Sequence, residues 1–172
     1  EEKVEKCLKD AFLPALHRAG IGKVGVFKPV ETDSTYGKRI YLLIPYNSIA
    51  QFTRLPEVVQ KDKAYETAGQ EYLNAPYTNP PYARIQSVLL LAFTGMPRME
   101  VPKLTTPVSE RIYELRSYEG HTEKIFKNKV QMFNAGDEVG LFKRLGFNAV
   151  FYAEVLSGNR MPNLMYMTTF EN

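Results

Sequence analysis

The sequence is poor in the residues that build covalent cross-links and metal centres. It contains one cysteine (Cys7), two histidines and no tryptophan among 172 residues. A single cysteine excludes an internal disulfide bond and any metal site with several cysteine ligands. Two histidines leave little room for a metal centre built on histidine. We therefore expect neither a metal ion nor a cofactor.

Long apolar runs and a strong excess of one charge are also missing. The longest apolar run, residues 88–93, is a third of the ~18 residues that indicate a transmembrane helix. The net charge is +3, and the basic residues are scattered along the chain, whereas nucleic-acid binding needs them clustered on one face. We expect no membrane span and no nucleic-acid partner. The 44% hydrophobic and 24% charged residues are typical of a soluble folded protein.

The start of the chain carries no visible targeting segment. It begins with Glu1 instead of methionine, and its first residues already follow a helical pattern. Because the start looks cut, the sequence leaves the cellular compartment open.

Apolar spacing in the first part of the chain predicts helices and strands in alternation. A stripe over residues 1–19 predicts a helix, kinked at Pro14 and closed by Gly20. Ser48 and Gln51 have the spacing of a capping box, so a further helix is predicted to start there. Strands are predicted over 24–30 and 39–46.

The pattern continues along the rest of the chain. The apolar segment 85–94, which closes the first part, is predicted to be a central strand. A helix is predicted over 122–145, closed by Gly146. Three more strands are predicted over 111–118, 147–155 and 164–170.

The two parts repeat each other at a constant offset of 125 residues. The shift places residues 24–30 on 149–155 and residues 40–42 on 165–167, with apolar or aromatic residues at corresponding positions. Such a repeat predicts two ferredoxin-like units in tandem, an α+β fold with antiparallel sheets and helices on one face. The predicted divisions are a first unit over 1–95, a linker over 96–107 and a second unit over 108–172.

Each predicted unit is incomplete compared with the full βαββαβ order. The first unit lacks its opening strand, and the second lacks its closing helix and strand. We therefore expect the natural polypeptide to be longer by roughly 8 residues upstream and about 50 downstream. The first strand of such a unit lies inside its sheet, so its loss leaves backbone groups that need another partner.

Several phrases of the sequence resemble the NIPSNAP family. Residues 111–119 (RIYELRSYE) match the Y-E-L-R-x-Y strand that opens NIPSNAP domains, and bacterial tandem members have phrases similar to 13–21, 24–29, 74–77 and 162–166. The resemblance implies a dimeric α+β barrel, in which ferredoxin-like units pair sheet to sheet, and hence a homo-oligomer. Small antibiotic-biosynthesis monooxygenases, haem-degrading enzymes and chlorite-dismutase relatives share that architecture. NIPSNAP membership brings no established reaction.

Two charged residues on one predicted strand are candidate site residues. Glu114 and Arg116 lie two positions apart, so their side chains share a face of the strand. A charged pair that faces the inside of a covered sheet must be satisfied. The favoured interpretation is an architectural ion pair or an interface bond, and the alternative is a pocket that orients a polar ligand.

Three tyrosines and a histidine complete the candidate set. Tyr41, Tyr152 and Tyr166 fall on predicted strands, where aromatic residues usually belong to the core. A cavity lined by them could instead hold a flat hydrophobic molecule. His17 lies near the end of the first helix, where a cation complements the helix dipole. The alternative for His17 is a pocket acid–base group or a haem ligand.

Two further features are set aside. Residues 20–25 match the G-x-G-x-x-G pattern, but a predicted helix precedes them and a strand follows, the reverse of a dinucleotide-binding turn. Cys7 is predicted to be a small buried residue, because no histidine or asparagine arrangement points to a nucleophile.

Two classes of function remain. The favoured one is a non-catalytic binding or assembly module, because no acid–base pair, nucleophile or metal set has a recognisable spacing. The alternative is a cofactor-independent or haem-linked monooxygenase-type enzyme that acts on a hydrophobic aromatic molecule.

Overall fold

The apolar stripe at the start of the chain forms a helical segment over residues 2–18 in the computed structural model, which describes residues 1–171. The segment is α-helical except for a π-helical turn over Leu8–Phe12, where the N–H of Leu13 donates to the carbonyl of Leu8. Pro14 has no N–H to donate to the preceding turn. Pro14 lies just after this wider turn, at the start of the next helical stretch, and the kink at Pro14 stays a prediction.

Gly20 closes this helical segment, as the sequence predicts. It adopts a φ of 83°, and the N–H of Ile21 donates to the carbonyl of Leu16 over 2.9 Å. Gly146 ends the last helix of the chain in the same way, with a φ of 79°. After the turn at Gly20, the side chain of Ile21 packs back against the helix. Both Ile21 and Leu16 are buried there. The core of this part of the chain consists of Ala15, Leu16, Ile21, Leu55 and Val59.

The first of two compact units, Glu1–Ile85, is mainly helical. Its elements are α1 Glu2–Cys7, α2 Leu13–Arg18, β1 Gly25–Phe27, β2 Tyr41–Leu43, α3 Ile49–Gln60, α4 Lys63–Ala68 and α5 Gln70–Leu73. Ser48 caps α3 by accepting a hydrogen bond of 3.1 Å from the N–H of Gln51, which confirms the predicted helix start. The strands β1 and β2 pair antiparallel over three residues each, which lie within the predicted strands.

The second compact unit, which begins at Gln86, is a four-stranded antiparallel sheet with two helices. Its elements are β3 Leu89–Ala92, a 3₁₀ turn Val108–Glu110, β4 Ile112–Glu119, α6 Glu123–Asn134, α7 Glu138–Arg144, β5 Asn148–Ser157 and β6 Asn163–Phe170. Neighbouring strands pair in the order β3-β5-β6-β4. The helices pack on the sheet through one shared core of Phe93, Met96, Phe126, Phe133, Tyr152, Leu164 and Tyr166. The fold class is thus α+β with antiparallel sheets, as predicted.

Strand β3 lies at an edge of this sheet, so the prediction of a central strand is wrong. It pairs with β5 alone among the described strands, and its Leu91 is half exposed. Apolar runs favour strands that are buried on both faces. They do not decide how many neighbouring strands will pair with them, and that number is set by distant parts of the chain.

The pairing of β3 also changes the division of the chain. The sequence predicted a first unit over 1–95 and a linker over 96–107, whereas the compact units divide between Ile85 and Gln86. The physical reason is that the backbone groups of β3 find their hydrogen-bond partners on β5, in the second unit. The predicted linker is attached to the same unit, because the N–H of Glu100 donates to the carbonyl of Val150 over 2.9 Å.

The helix predicted over 122–145 is interrupted between α6 and α7. The N–H groups of Ala135 and Gly136 both donate to the carbonyl of Gln131, over 2.7 and 3.0 Å. Asp137 then adopts a left-handed conformation, with a φ of 60°, and α7 begins after it. Apolar spacing missed this break because residues on both sides of it join one core.

Glu171 holds the segment before β4 against the end of β6. Its carboxylate accepts hydrogen bonds from the backbone N–H groups of Thr105 and Thr106, over 2.9 Å each at the shortest. The hydroxyl groups of both threonines donate to it as well. These bonds favour the charged form and lower the pKa of Glu171 to about 2.

This anchor predicts a pH dependence of folding. A carboxyl whose pKa falls on folding stabilises the native state above its unfolded pKa, and that contribution disappears as the pH drops towards its folded pKa. Replacement of Glu171 by Gln should therefore lower the free energy of unfolding near neutral pH, and the difference should shrink between pH 4.5 and 2. Chemical denaturation at several pH values, with Glu110→Gln as an exposed control, measures this. A difference that stays constant over that range would contradict the role assigned to the anchor.

Candidate functional site

Glu114 and Arg116 form an ion pair on one face of β4. Arg116 Nε lies 2.9 Å from Glu114 Oε1. The two side chains are 40% and 41% exposed. They remain partly open to solvent because β4 ends the sheet and no described strand pairs with its outer edge. The structure therefore contains the ion pair, whereas a role in orienting a ligand stays a prediction.

Arg116 also contacts two tyrosines, because strand register brings them together. Arg116 lies opposite Tyr166 on β6, and its Nη1 donates to Tyr166 Oη over 3.4 Å. Tyr118, two residues further along the same face of β4, stacks on Tyr166 with ring centroids 5.7 Å apart. The two phenol oxygens lie 3.4 Å from each other. A guanidinium and two phenols thus converge at the edge of the sheet.

A second cation reaches this place from helix α6. Lys129 Nζ lies 5.5 Å from the ring centroid of Tyr118 and 5.1 Å from that of Phe133. It also forms an ion pair of 3.2 Å with Glu138. Sequence reasoning missed both Lys129 and Tyr118 as site residues. The signal was present, since Lys129 follows Phe126 by three residues on the buried stripe of the helix.

We call these four residues, Arg116, Tyr118, Tyr166 and Lys129, the β4 polar cluster. Its two phenols differ in acidity. The hydrogen bond with Tyr166 and the nearby charge of Arg116 lower the pKa of Tyr118, against the effect of burial. Burial raises the pKa of Tyr166. The cluster therefore places positive charge beside its more acidic phenol, an arrangement that stabilises negative charge on an oxygen atom.

Tyr152 lies next to the β4 polar cluster but inside the core. Its ring centroid is 5.4 Å from that of Tyr166 and 5.7 Å from that of Phe133, and only 1% of the residue is exposed. Burial raises its pKa to about 12. Its hydroxyl is buried without a hydrogen-bond partner among the described residues. Tyr152 and Tyr166 thus pack as core residues, the interpretation favoured for them from the sequence.

The remaining candidates belong to the first unit. Tyr41 is the first residue of β2 and is 37% exposed, and Arg39 Nη1 donates to its hydroxyl over 3.5 Å. His17 is exposed in the last turn of α2. Cys7 is buried, as expected, and burial raises the pKa of its thiol. The structure brings together Glu114, Arg116, Tyr152 and Tyr166, and it places Tyr41 and His17 in a different unit.

The outer edge of β4 presents backbone groups at every second residue. At the two ends of the ladder, the N–H of Gly120 donates to Pro162 O and Thr169 Oγ1 donates to the carbonyl of Ile112, over 2.8 Å each. Backbone groups alternate between the two edges of an antiparallel strand. Even-numbered residues of β4 therefore face β6, and the N–H and carbonyl groups of Leu115 and Ser117 face the open edge.

Comparison with known proteins adds no assignment to this geometry. No protein-family model matches the chain, and no curated protein sequence matches it. The resemblance to the NIPSNAP family therefore rests on the quoted residues alone. Within residues 1–171, no three histidine, cysteine, aspartate or glutamate side chains are grouped closely enough to hold a metal ion. No described helix has the length and apolar character that crossing a membrane requires.

The two buried tyrosines provide a matched test of the described hydrogen bonds. A buried polar group without a partner destabilises the fold, whereas a hydrogen-bonded hydroxyl stabilises it modestly. Tyr152→Phe should leave the free energy of unfolding unchanged or raise it by up to about 1 kcal/mol, and Tyr166→Phe should lower it by about 0.5–1 kcal/mol. Urea denaturation of both variants measures the difference. Equal destabilisation by the two substitutions would show that Tyr152 Oη has a partner.

Proposed function

We propose that the chain is a non-catalytic assembly module that binds a partner strand along the open edge of β4. One observation carries the proposal. All eight residues of β4 pair with β6 on one edge, while no described strand pairs with the other edge. Open strand edges are templates for pairing with another chain. Addition of a strand to such an edge is a recurring mode of protein recognition.

The character of β4 supports this use of its edge. Natural proteins protect exposed edges with proline, bulges, very short strands or charged side chains. The eight residues of β4 include the charged Glu114, Arg116 and Glu119, but they contain no proline, and their pairing with β6 has no bulge. The strand is also longer than the average of about 5–6 residues. Its length and regularity suit a strand that is paired on both sides.

The proposal includes the tandem organisation predicted from the sequence: two ferredoxin-like units of the NIPSNAP type, which form a dimeric α+β barrel. The offset of 125 residues supports it, because the same shift relates strand pairings as well as residue types. Adding 125 to the pair Phe27 and Tyr41 gives the pair Tyr152 and Tyr166. In a ferredoxin-like unit the first strand lies inside the sheet, which is the position that β4 would take with a partner on its open edge.

The proposal predicts that the backbone of β4 binds an added strand. Leu115→Pro removes one outward N–H, and Leu115→Ala removes the same side chain but keeps that N–H. A capped peptide of alternating threonine and valine should bind the unsubstituted chain and L115A with similar affinity. Its affinity for L115P should be at least tenfold lower. Fluorescence anisotropy measures binding, and amide chemical shifts of Leu115 and Ser117 report where the peptide lies.

Circular dichroism shows whether L115P has kept its fold. If the peptide fails to bind the unsubstituted chain, or if it binds L115P equally well, the edge of β4 is not a strand-binding surface and the proposal is wrong.

A second candidate function has one observation in its favour. The lowered pKa of Tyr118, beside Arg116 and Lys129, indicates an environment that stabilises a phenolate. Such an environment suits a monooxygenase-type enzyme, cofactor-independent or haem-linked, that acts on a hydrophobic aromatic molecule. Of the side chains that ligate haem iron, the β4 polar cluster offers only tyrosine.

This second candidate predicts activity that depends on Arg116. Titration with haemin should shift the Soret band, or a panel of quinols should consume oxygen, and Arg116→Lys should reduce the response at least tenfold. Glu119→Gln serves as the control on the same strand, because the carboxylate of Glu119 pairs with Arg160 and not with Arg116. The absence of both responses in the folded chain would count against the enzyme.

A further inference from the structure

We infer that Arg116, Tyr166 and Tyr118 form a directed hydrogen-bond chain, and that this chain makes Tyr118 the proton-exchanging group of the β4 polar cluster. The inference goes beyond the proposed strand binding. It rests on the second candidate function only in naming the group that would take a proton from a bound aromatic molecule. The contacts that carry it join β4, β6, α6 and α7. They do not use the outer edge of β4, so a further strand there would leave them in place.

The direction of the chain follows from the donors and acceptors of each group. Arg116 has no acceptor atom, so its Nη1 donates to Tyr166 Oη over 3.4 Å. The hydroxyl of Tyr166 has its own proton to donate, and this residue is almost fully buried. Among the described residues, the acceptor within hydrogen-bond distance is Tyr118 Oη, 3.4 Å away. Tyr166 therefore donates to Tyr118, because a buried hydroxyl without an acceptor is costly.

This direction places the negative charge on Tyr118 when a proton leaves. A phenolate at Tyr166 would lie in the core without hydration, and burial raises the pKa of that phenol. The hydrogen bond from Tyr166 has the largest effect in lowering the pKa of Tyr118, and the charges of Arg116 and Lys129 act in the same direction. Both bonds of the chain are long for neutral groups. Ionisation of Tyr118 would tighten them, since charge-assisted hydrogen bonds are shorter and stronger.

Lys129 is the positioning residue of this arrangement. Its Nζ lies 5.5 Å from the ring centroid of Tyr118, and Glu138 of helix α7 holds it there through an ion pair of 3.2 Å. Glu114 and Glu138 are the carboxylates beside the cluster, and each pairs with one of its two cations. Tyr152 of β5 is neutral near pH 7, because burial raises its pKa to about 12. The ammonium of Lys129 is thus fixed where it favours a phenolate at Tyr118.

Titration of the tyrosines tests the chain. NMR spectra of protein that carries an isotope label at tyrosine Cζ show each phenol ionise as the pH rises, and Tyr118→Phe assigns the signal of Tyr118. We expect Tyr118 to ionise before Tyr166. Tyr166→Phe keeps the ring but removes the donor, so the proton affinity of Tyr118 should rise about tenfold. Arg116→Met should raise it too, because the chain loses its first donor and a nearby charge.

Two lysine substitutions on one helix provide a matched control. Lys129→Met should raise the proton affinity of Tyr118 about threefold at low salt and less at high salt. Lys127 lies on the same helix, 5.6 Å from the ring centroid of Phe126, and pairs with Glu154. Lys127→Met removes the same charge outside the cluster, so it should leave the titration of Tyr118 unchanged. Equal shifts from the two substitutions would overturn the role of Lys129, because net charge would then explain both.

The order of ionisation decides the direction of the chain. Ionisation of Tyr166 before Tyr118 overturns that direction, and a titration of Tyr118 that Y166F and R116M leave unchanged overturns the chain itself. The amide spectrum of each variant shows whether it has kept its fold, and R116M provides the test if Y166F does not fold. The titration uses neither haemin nor a peptide. The expected titration without any response to haemin or quinols therefore leaves the chain standing and counts against the second candidate function alone.

Discussion

The second unit depends on the pairing of β6 along both of its backbone edges. The strand has β4 on one side and β5 on the other, so its backbone is paired along both edges. Its residues Leu164, Tyr166 and Thr169 are almost fully buried. The two registers place Arg116 and Tyr152 on either side of Tyr166. The contacts of Arg116 and Tyr118 with Tyr166 follow from this central strand.

The position of β4 at the end of the sheet explains the chemistry of the cluster. A charged side chain inside a covered sheet would need full compensation for the lost hydration. Glu114 and Arg116 keep part of their solvent contact, because the sheet ends beside them. The aromatic rings behind them belong to the core and hold the guanidinium and the ammonium of Lys129 in place. Assembly along the edge and chemistry at the phenols would therefore use the same side chains.

Local patterns predicted the elements of the fold well. The alternation along 111–118 identified β4, the spacing of Ser48 and Gln51 identified the start of α3, and Gly20 marked a helix end. In each case the interaction joins residues within a few positions of each other, so the local sequence contains both partners. The break at Asp137 escaped prediction because apolar spacing records which residues are buried and is insensitive to the backbone between them.

Long-range relations were predicted less well, for a physical reason. The hydrophobicity of a strand such as β3 indicates that the strand is buried or paired. It does not select the neighbouring strand, because pairing with several different strands would bury a similar apolar area. The three-dimensional fold placed β3 beside β5 at an edge, and it brought Lys129 of α6 to Tyr118. Chain-local geometry accounts for the shared face of Glu114 and Arg116. Tertiary pairing alone decided that this strand lies at an open edge, because strand neighbours are chosen by contacts between residues far apart in the chain.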